Sequence, residues 1–140
     1  MVAEIWKLWL QSGRPEMDAL MEQAVALMGN GLPAPAMPFL DDIVARAPEW
    51  AEGWNKRATV YFLMGEYQKS LADCAEVLKR NPSHFGVLSG YGQIYLQLNE
   101  PERALSYFER ALAVNPNMEQ VEQVIEELKS LLMKQKKDTI

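Results

Sequence analysis

The chain has 140 residues, enough for one domain and few for two, and its 49% hydrophobic and 24% charged residues are the composition of a folded protein rather than a disordered one. One cysteine, Cys74, excludes a disulfide framework and a cysteine-based zinc site within one chain, and one histidine, His84, excludes a histidine cluster. Fourteen basic against nineteen acidic residues give a net charge of −5, which argues against a nucleic-acid surface because phosphate binding needs an excess of Lys and Arg.

Taken in chain order, the apolar spacing predicts helices over 2–11, 16–29, 36–46, 50–64, 67–80, 84–98, 101–114 and 117–136. The opening MVAEIWKLWLQSG has no basic n-region, no sustained apolar centre and no small-residue cleavage site. No apolar run approaches the roughly 20 residues that span a bilayer. As written, the chain is expected to be soluble and cytoplasmic; a signal segment ahead of Met1 would make it exported. The first helix is apolar nearly all round, through Ile5, Trp6, Leu8, Trp9 and Leu10. Both Trp are expected to pack on residues 16–29, the alternatives being a missing preceding segment or a partner that covers them.

Between residues 31 and 38 three prolines, Pro33, Pro35 and Pro38, remove backbone donors. The third helix is therefore expected to start near Pro35 and to hold Pro38 only in its first turn. Gly65 is suited to a left-handed turn after the fourth helix, and Asn99 less readily to the same role after the sixth. Asn81-Pro82 and Asn115-Pro116 stop the fifth and seventh helices, since the residue before Pro avoids the α region. In the last helix Val121, Val124, Ile125, Leu128 and Leu132 form one stripe opposite Glu119, Glu122, Glu126 and Lys129, as a terminal cap requires. Lys129, Lys134, Lys136 and Lys137 put positive charge at its C-terminus, a favourable place for it, and an anionic-surface anchor is the weaker reading.

The chain repeats itself every 34 residues. Pro48, Pro82 and Pro116 keep that interval, as do Ala24, Ala58 and Gly92, and Leu27, Tyr61 and Tyr95. So do Ala36, Ser70 and Ala104; Leu40, Cys74 and Phe108; and the turn positions Gly31, Gly65 and Asn99. The small residues permit two helices to approach closely.

These columns resemble the tetratricopeptide repeat, whose signature is W-x2-L-G-x2-Y, then A-x3-F, then P. Residues 51–84 carry Trp54, Ala58, Tyr61, Ser70, Cys74 and Pro82; residues 85–118 carry Leu88, Tyr91, Gly92, Tyr95, Ala104, Phe108 and Pro116. Residues 17–50 are a more degenerate copy with Leu20, Ala24, Leu27, Ala36, Leu40 and Pro48, and Gln23 and Arg57 depart from the apolar type. The chain is also similar to small stand-alone bacterial proteins of this family that open with a Trp-rich helix and a Ser-Gly-x-Pro turn, here Ser12-Gly13-Arg14-Pro15. The resemblance implies an all-α solenoid of antiparallel helix pairs in a right-handed superhelix. Its parts would be an N-terminal helix (1–16), repeats at 17–50, 51–84 and 85–118, and a capping helix with a basic tail (119–140), all one domain.

Catalytic motifs such as G-x-S-x-G, the P-loop, H-E-x-x-H and G-x-G-x-x-G are absent, so no enzyme, metal or cofactor is expected. Gly90-Tyr91-Gly92 lies in mid-helix, where it serves close packing and leaves a shallow inner spot rather than a phosphate cradle. Cys74 is expected to be a buried inert thiol, and His84, Asp41 and Asp42 lack the neighbours a metal needs.

What remains is geometric: the first helix of each pair lines the concave side of such a stack. Spacing puts Glu52, Asn55, Lys56, Thr59 and Phe62 there from the fourth helix, and Gly86, Ser89, Gly90, Gln93, Leu96 and Gln97 from the sixth, with Gln120 and Gln123 from the last. This amide-rich, lightly charged face suits the backbone of an extended peptide, although it can equally be a plain solvated surface. Some members of the family hold a chain-terminal carboxylate there with a Lys/Asn/Arg clamp; the matching places here are Asn55, Thr59, Gly90, Gln120 and Val124, so the clamp is not expected. The leading expectation is a non-catalytic module that binds a protein or extended peptide in the concave groove. The alternative is self-association through the N-terminal end, with Trp6, Trp9, Met17 and Met21 as contacts.

Overall fold

The computed structural model describes residues 2–138 and, within them, every side chain except those of residues 2–4 and 6. The described elements are helices: α1 (Val2–Trp9), α2 (Pro15–Gly29), α3 (Pro33–Arg46), α4 (Ala51–Leu63), α5 (Tyr67–Arg80), α6 (Phe85–Gln97), α7 (Pro101–Val114) and α8 (Glu119–Asp138). They fall into two compact units, Met1–Pro82 and Ser83–Ile140.

The 34-residue interval of the sequence is an interval of the backbone. Gly31, Gly65 and Asn99 have φ of 74°, 77° and 57°. After each of these turns an amide closes the preceding helix on the same register: Leu32 N donates to Leu27 O (2.9 Å), Glu66 N to Tyr61 O (2.8 Å) and Glu100 N to Tyr95 O (2.8 Å). A six-to-one bond of this kind satisfies a helix-end carbonyl and needs a left-handed residue in the turn. The second helices end alike, with Ala47 N on Ile43 O, Asn81 N on Val77 O and Asn115 N on Ala111 O.

In the first unit α2 packs on α3, α3 on α4, and α4 on α5. The core joins Met17, Met21 and Ala24 of α2 to Ala36, Leu40 and Ile43 of α3, with Ala47, Trp50 and Val60. Close approach follows from small residues. A Cβ on Gly53 would lie 2.8 Å from Ile43 Cγ2, and Ser70 Oγ donates to Ala58 O at 2.7 Å where α5 crosses α4. The first helix is tied to this body by the Trp50 indole, whose Nε1 donates to Trp9 O at 2.8 Å. In the following turn Ser12 Oγ donates to Asp18 Oδ1 at 2.6 Å.

Two expectations are corrected here. α3 begins at Pro33, not near Pro35, and Pro38 lies inside the helix beyond its first turn. The first four amides of a helix have no intrahelical acceptor, so Pro33 and Pro35 forfeit nothing and their fixed φ suits the helix start; only Pro38 removes a bond. Met17 and Met21 are not surface residues: they are 0% and 3% exposed within the α2–α3 core, which withdraws them from any contact with another molecule. Trp6 lies outside the described side chains, and Trp9 is half-buried.

In the second unit α7 packs on α6 and on α8. Gly92 is buried against Phe108, whose ring would lie 2.6 Å from an added Cβ. Ala104 and Phe108 form one cluster with Val121, Ile125 and Leu128 of α8, and Val124 borders it. α6 is capped by His84, fully buried, whose Nδ1 accepts from Val87 N at 3.0 Å. Cys74, in the first unit, is 2% exposed; burial, reinforced by the negative charge of Asp73, pushes its thiol up to about 12.

Candidate functional site

Four of the five α4 positions expected on the inner face line its accessible surface. Asn55, Lys56 and Phe62 are half-buried and Thr59 is exposed. Glu52 is the exception, at 1% exposed. Its carboxylate sits in the first turn, where the helix dipole favours negative charge, and it accepts from Asn55 Nδ2 at 2.8 Å with Lys56 Nζ at 3.8 Å. It is therefore a member of the α4 framework rather than a ligand contact. Thr59 Oγ1 donates to Asn55 O at 3.1 Å. Phe62 lies 5.6 Å from the Tyr67 ring.

On α6, Gly86, Ser89 and Gly90 are half-buried, and Gln93, Leu96 and Gln97 are exposed. A Cβ on Gly90 would meet nothing within 4 Å, so the spot left by this glycine is open. Two of the six, Ser89 and Gln93, line one depression of about 460 Å³ within the second unit. Its apolar lining is Phe108, Met118, Val121 and Val124, of which Phe108 and Val121 are buried; Asn117, Glu119 and Gln120 complete it. The lining therefore offers amide and hydroxyl groups that both donate and accept, beside an apolar base. Glu119 is the only charged side chain in this lining.

The α8 wall was legible only in part. Gln120 follows from the register, because α8 starts where a further first helix would start. Asn117 and Met118 precede that helix, and their place depends on the turn in which Asn117 N donates to Asn115 Oδ1 at 3.3 Å. No periodic signal marks them.

The first unit carries a second arrangement. Arg57 forks onto Asp73, Nε to Oδ2 at 2.8 Å and Nη2 to Oδ1 at 2.9 Å, while its Nη1 reaches Asp41 Oδ1 at 3.1 Å. The Asp73 hydrogen bonds raise the guanidinium pKa still further above its ordinary value. Arg57 also lies over the Trp54 and Tyr61 rings, at 5.4 and 5.6 Å. In the next repeat the same three columns hold Tyr91, Tyr95 and Tyr107, stacked with Tyr91 and Tyr107 at 4.4 Å.

Helix pairs whose turns, end bonds and small-residue contacts recur every 34 residues define a helical-repeat protein. Residues 51–117 match the family model described as "Tetratricopeptide repeat". A TPR repeat-containing protein of Rhizobium etli is 37% identical over 129 residues, which cover 89% of this chain and 63% of that protein. The chain thus spans under two thirds of the length of this relative. Among solved structures, the first TPR domain of Spaghetti (RPAP3) bound to the HSP90 peptide SRMEEVD aligns with a TM-score of 0.79 at 20% identity, over 84% of this chain and 93% of that one. The Sgt2 TPR domain from Aspergillus fumigatus gives 0.81 at 18% identity, over 89% and 83%. Residues 51–117 thus carry tetratricopeptide repeats, and the helices are arranged as in solved tetratricopeptide-repeat domains.

Proposed function

We propose that the chain is a non-catalytic interaction module that holds an extended segment of a protein in the α6–α8 depression. The observation that carries this reading is that depression itself: Ser89, Gln93 and Gln120 stand around an apolar base of Phe108 and Val124. Paired donors and acceptors would satisfy a peptide backbone, and the apolar base would take one side chain of moderate size. Asn55 and Thr59 occupy, 34 residues earlier, the register positions of Ser89 and Gln93, and are proposed as a contact face of their own. With Glu119 as the only charge in the lining, the site favours an internal or basic segment and disfavours a terminal carboxylate. The peptide in the Spaghetti structure, SRMEEVD, is by contrast acidic toward its end.

The test is selection of a random peptide library on the protein, followed by titration of the selected peptides against the wild type and Ser89→Trp. Loss of binding in S89W, with unchanged far-ultraviolet circular dichroism, supports the site. Equal affinity of both proteins removes this depression from the account.

A further inference from the structure

The 34-residue register runs into α8 and is then broken. The positions after Ala24, Ala58 and Gly92 and after Gly31, Gly65 and Asn99 are Glu126 and Met133. Glu126 stands where the earlier pairs need a small residue, and Met133 lies within one uninterrupted helix, Glu119–Asp138, where the earlier pairs turn. α8 is therefore not folded back into a pair. The side that α2, α4 and α6 give to their own second helices carries Glu126 and Lys129 here, both exposed.

Along that side the exposed residues are Glu119, Glu122, Glu126, Lys129, Met133 and Lys136. Their steps of three and four alternate, so they form one row along the helix. The row is acidic in its first half and basic in its second. It is also symmetric about a point between residues 127 and 128: 119 mirrors 136, 122 mirrors 133, and 126 mirrors 129. A parallel copy would set Glu against Glu. An antiparallel copy sets Glu126 against Lys129 of the partner subunit and Glu119 against Lys136 of the partner subunit, each pair occurring twice as a two-fold interface requires. Met133, 64% exposed, would lie over the stem of Glu122 of the partner subunit. Glu109 of α7 faces the same edge, 3.9 Å from Lys129 Nζ, so it shares that lysine with the incoming carboxylate. Leu112 and Ala113 flank the groove.

We propose that α8 pairs antiparallel with α8 of a second copy of this chain. The inference is independent of the peptide-binding reading.

Sedimentation equilibrium from micromolar to millimolar concentration, at low and high salt, tests it. The wild type should dimerise and the dimer should weaken as salt rises, since exposed pairs are screened. Glu126→Lys and Lys129→Glu should each lower the association constant by about tenfold or more, because each sets like charges face to face. The double variant should recover it. The two single variants, mixed, should associate with each other more strongly than either does alone, because their charges are then complementary. A wild type that stays monomeric throughout, a dimer indifferent to both reversals, or single variants that ignore one another on mixing would each overturn the proposal.

Discussion

A methyl group at Gly92 would stand 2.6 Å from the Phe108 ring, and that ring is itself locked among Ala104, Val121 and Ile125. Gly92→Ala is therefore expected to destabilise the protein by about 1–3 kcal/mol, the usual cost of overpacking, even though alanine is the better helix former. Gly90, two residues away in the same helix, meets nothing within 4 Å. There Gly90→Ala should stabilise by about 0.5–1 kcal/mol. Urea denaturation of both variants checks the pair; equal effects would mean that the helices re-space freely. At Cys74 the folded thiol resists ionisation up to about 12, from an ordinary 9.0, chiefly because it is buried. A raised folded value means that the contribution is complete below about pH 9 and is lost as pH climbs toward 12. Stability measured over that range should fall more steeply for the wild type than for Cys74→Ala. Below pH 9 a thiol reagent should react with the native protein only as fast as the protein opens.

Arg57 joins three helices, because it pairs with Asp73 of α5 and Asp41 of α3 from its own place on α4. The motif puts an apolar residue there, and the reason for the departure is visible only when residue 73 is read beside it. Asp73 is 3% exposed, so Arg57→Leu would strand a buried carboxylate at a cost of about 3–5 kcal/mol. Arg57→Leu/Asp73→Leu should return most of that loss, since an apolar pair fills the same site. A double-mutant cycle by chemical denaturation measures the coupling, and near-additive losses would refute it. Read along single columns, Arg57 and Tyr91 look like unrelated exceptions. Read as triplets, Arg57-Tyr61-Asp73 and Tyr91-Tyr95-Tyr107 are two solutions to one packing problem, an ion pair and an aromatic stack. Sequence periodicity shows where helices touch; what fills a contact is a property of pairs of columns, and one sequence with three copies holds too few pairs to show it. The early start of α3 escaped for a related reason. Prolines are read as breakers, yet Pro33 and Pro35 fall among amides that no helix uses.

At the scale of the molecule, the hairpin order was legible because the same turn, end bond and small-residue contact recur in each copy. The α8 wall of the depression was less so, since it depends on how the chain leaves α7. Charge is the global quantity most relevant to binding. The chain carries −5, and omitting residues 129–140, which hold four lysines and Asp138, leaves ten basic and eighteen acidic residues, or −8. The body is thus more acidic than the whole, and the depression holds Glu119 with no cation in its lining. A peptide with basic flanks should therefore associate faster than the same core with acidic flanks, by about tenfold at low salt, and the difference should shrink as the screening length falls below roughly 10 Å near 0.1 M. Stopped-flow fluorescence of labelled peptides follows this directly. The dissociation rates of the two should differ far less, because flanking charges steer encounter while the apolar base and the amides of Gln93 and Gln120 hold the bound segment. If the acidic peptide arrives faster, the entry route runs past the lysines of the α8 end, and the binding face must be sought there instead of over Phe108.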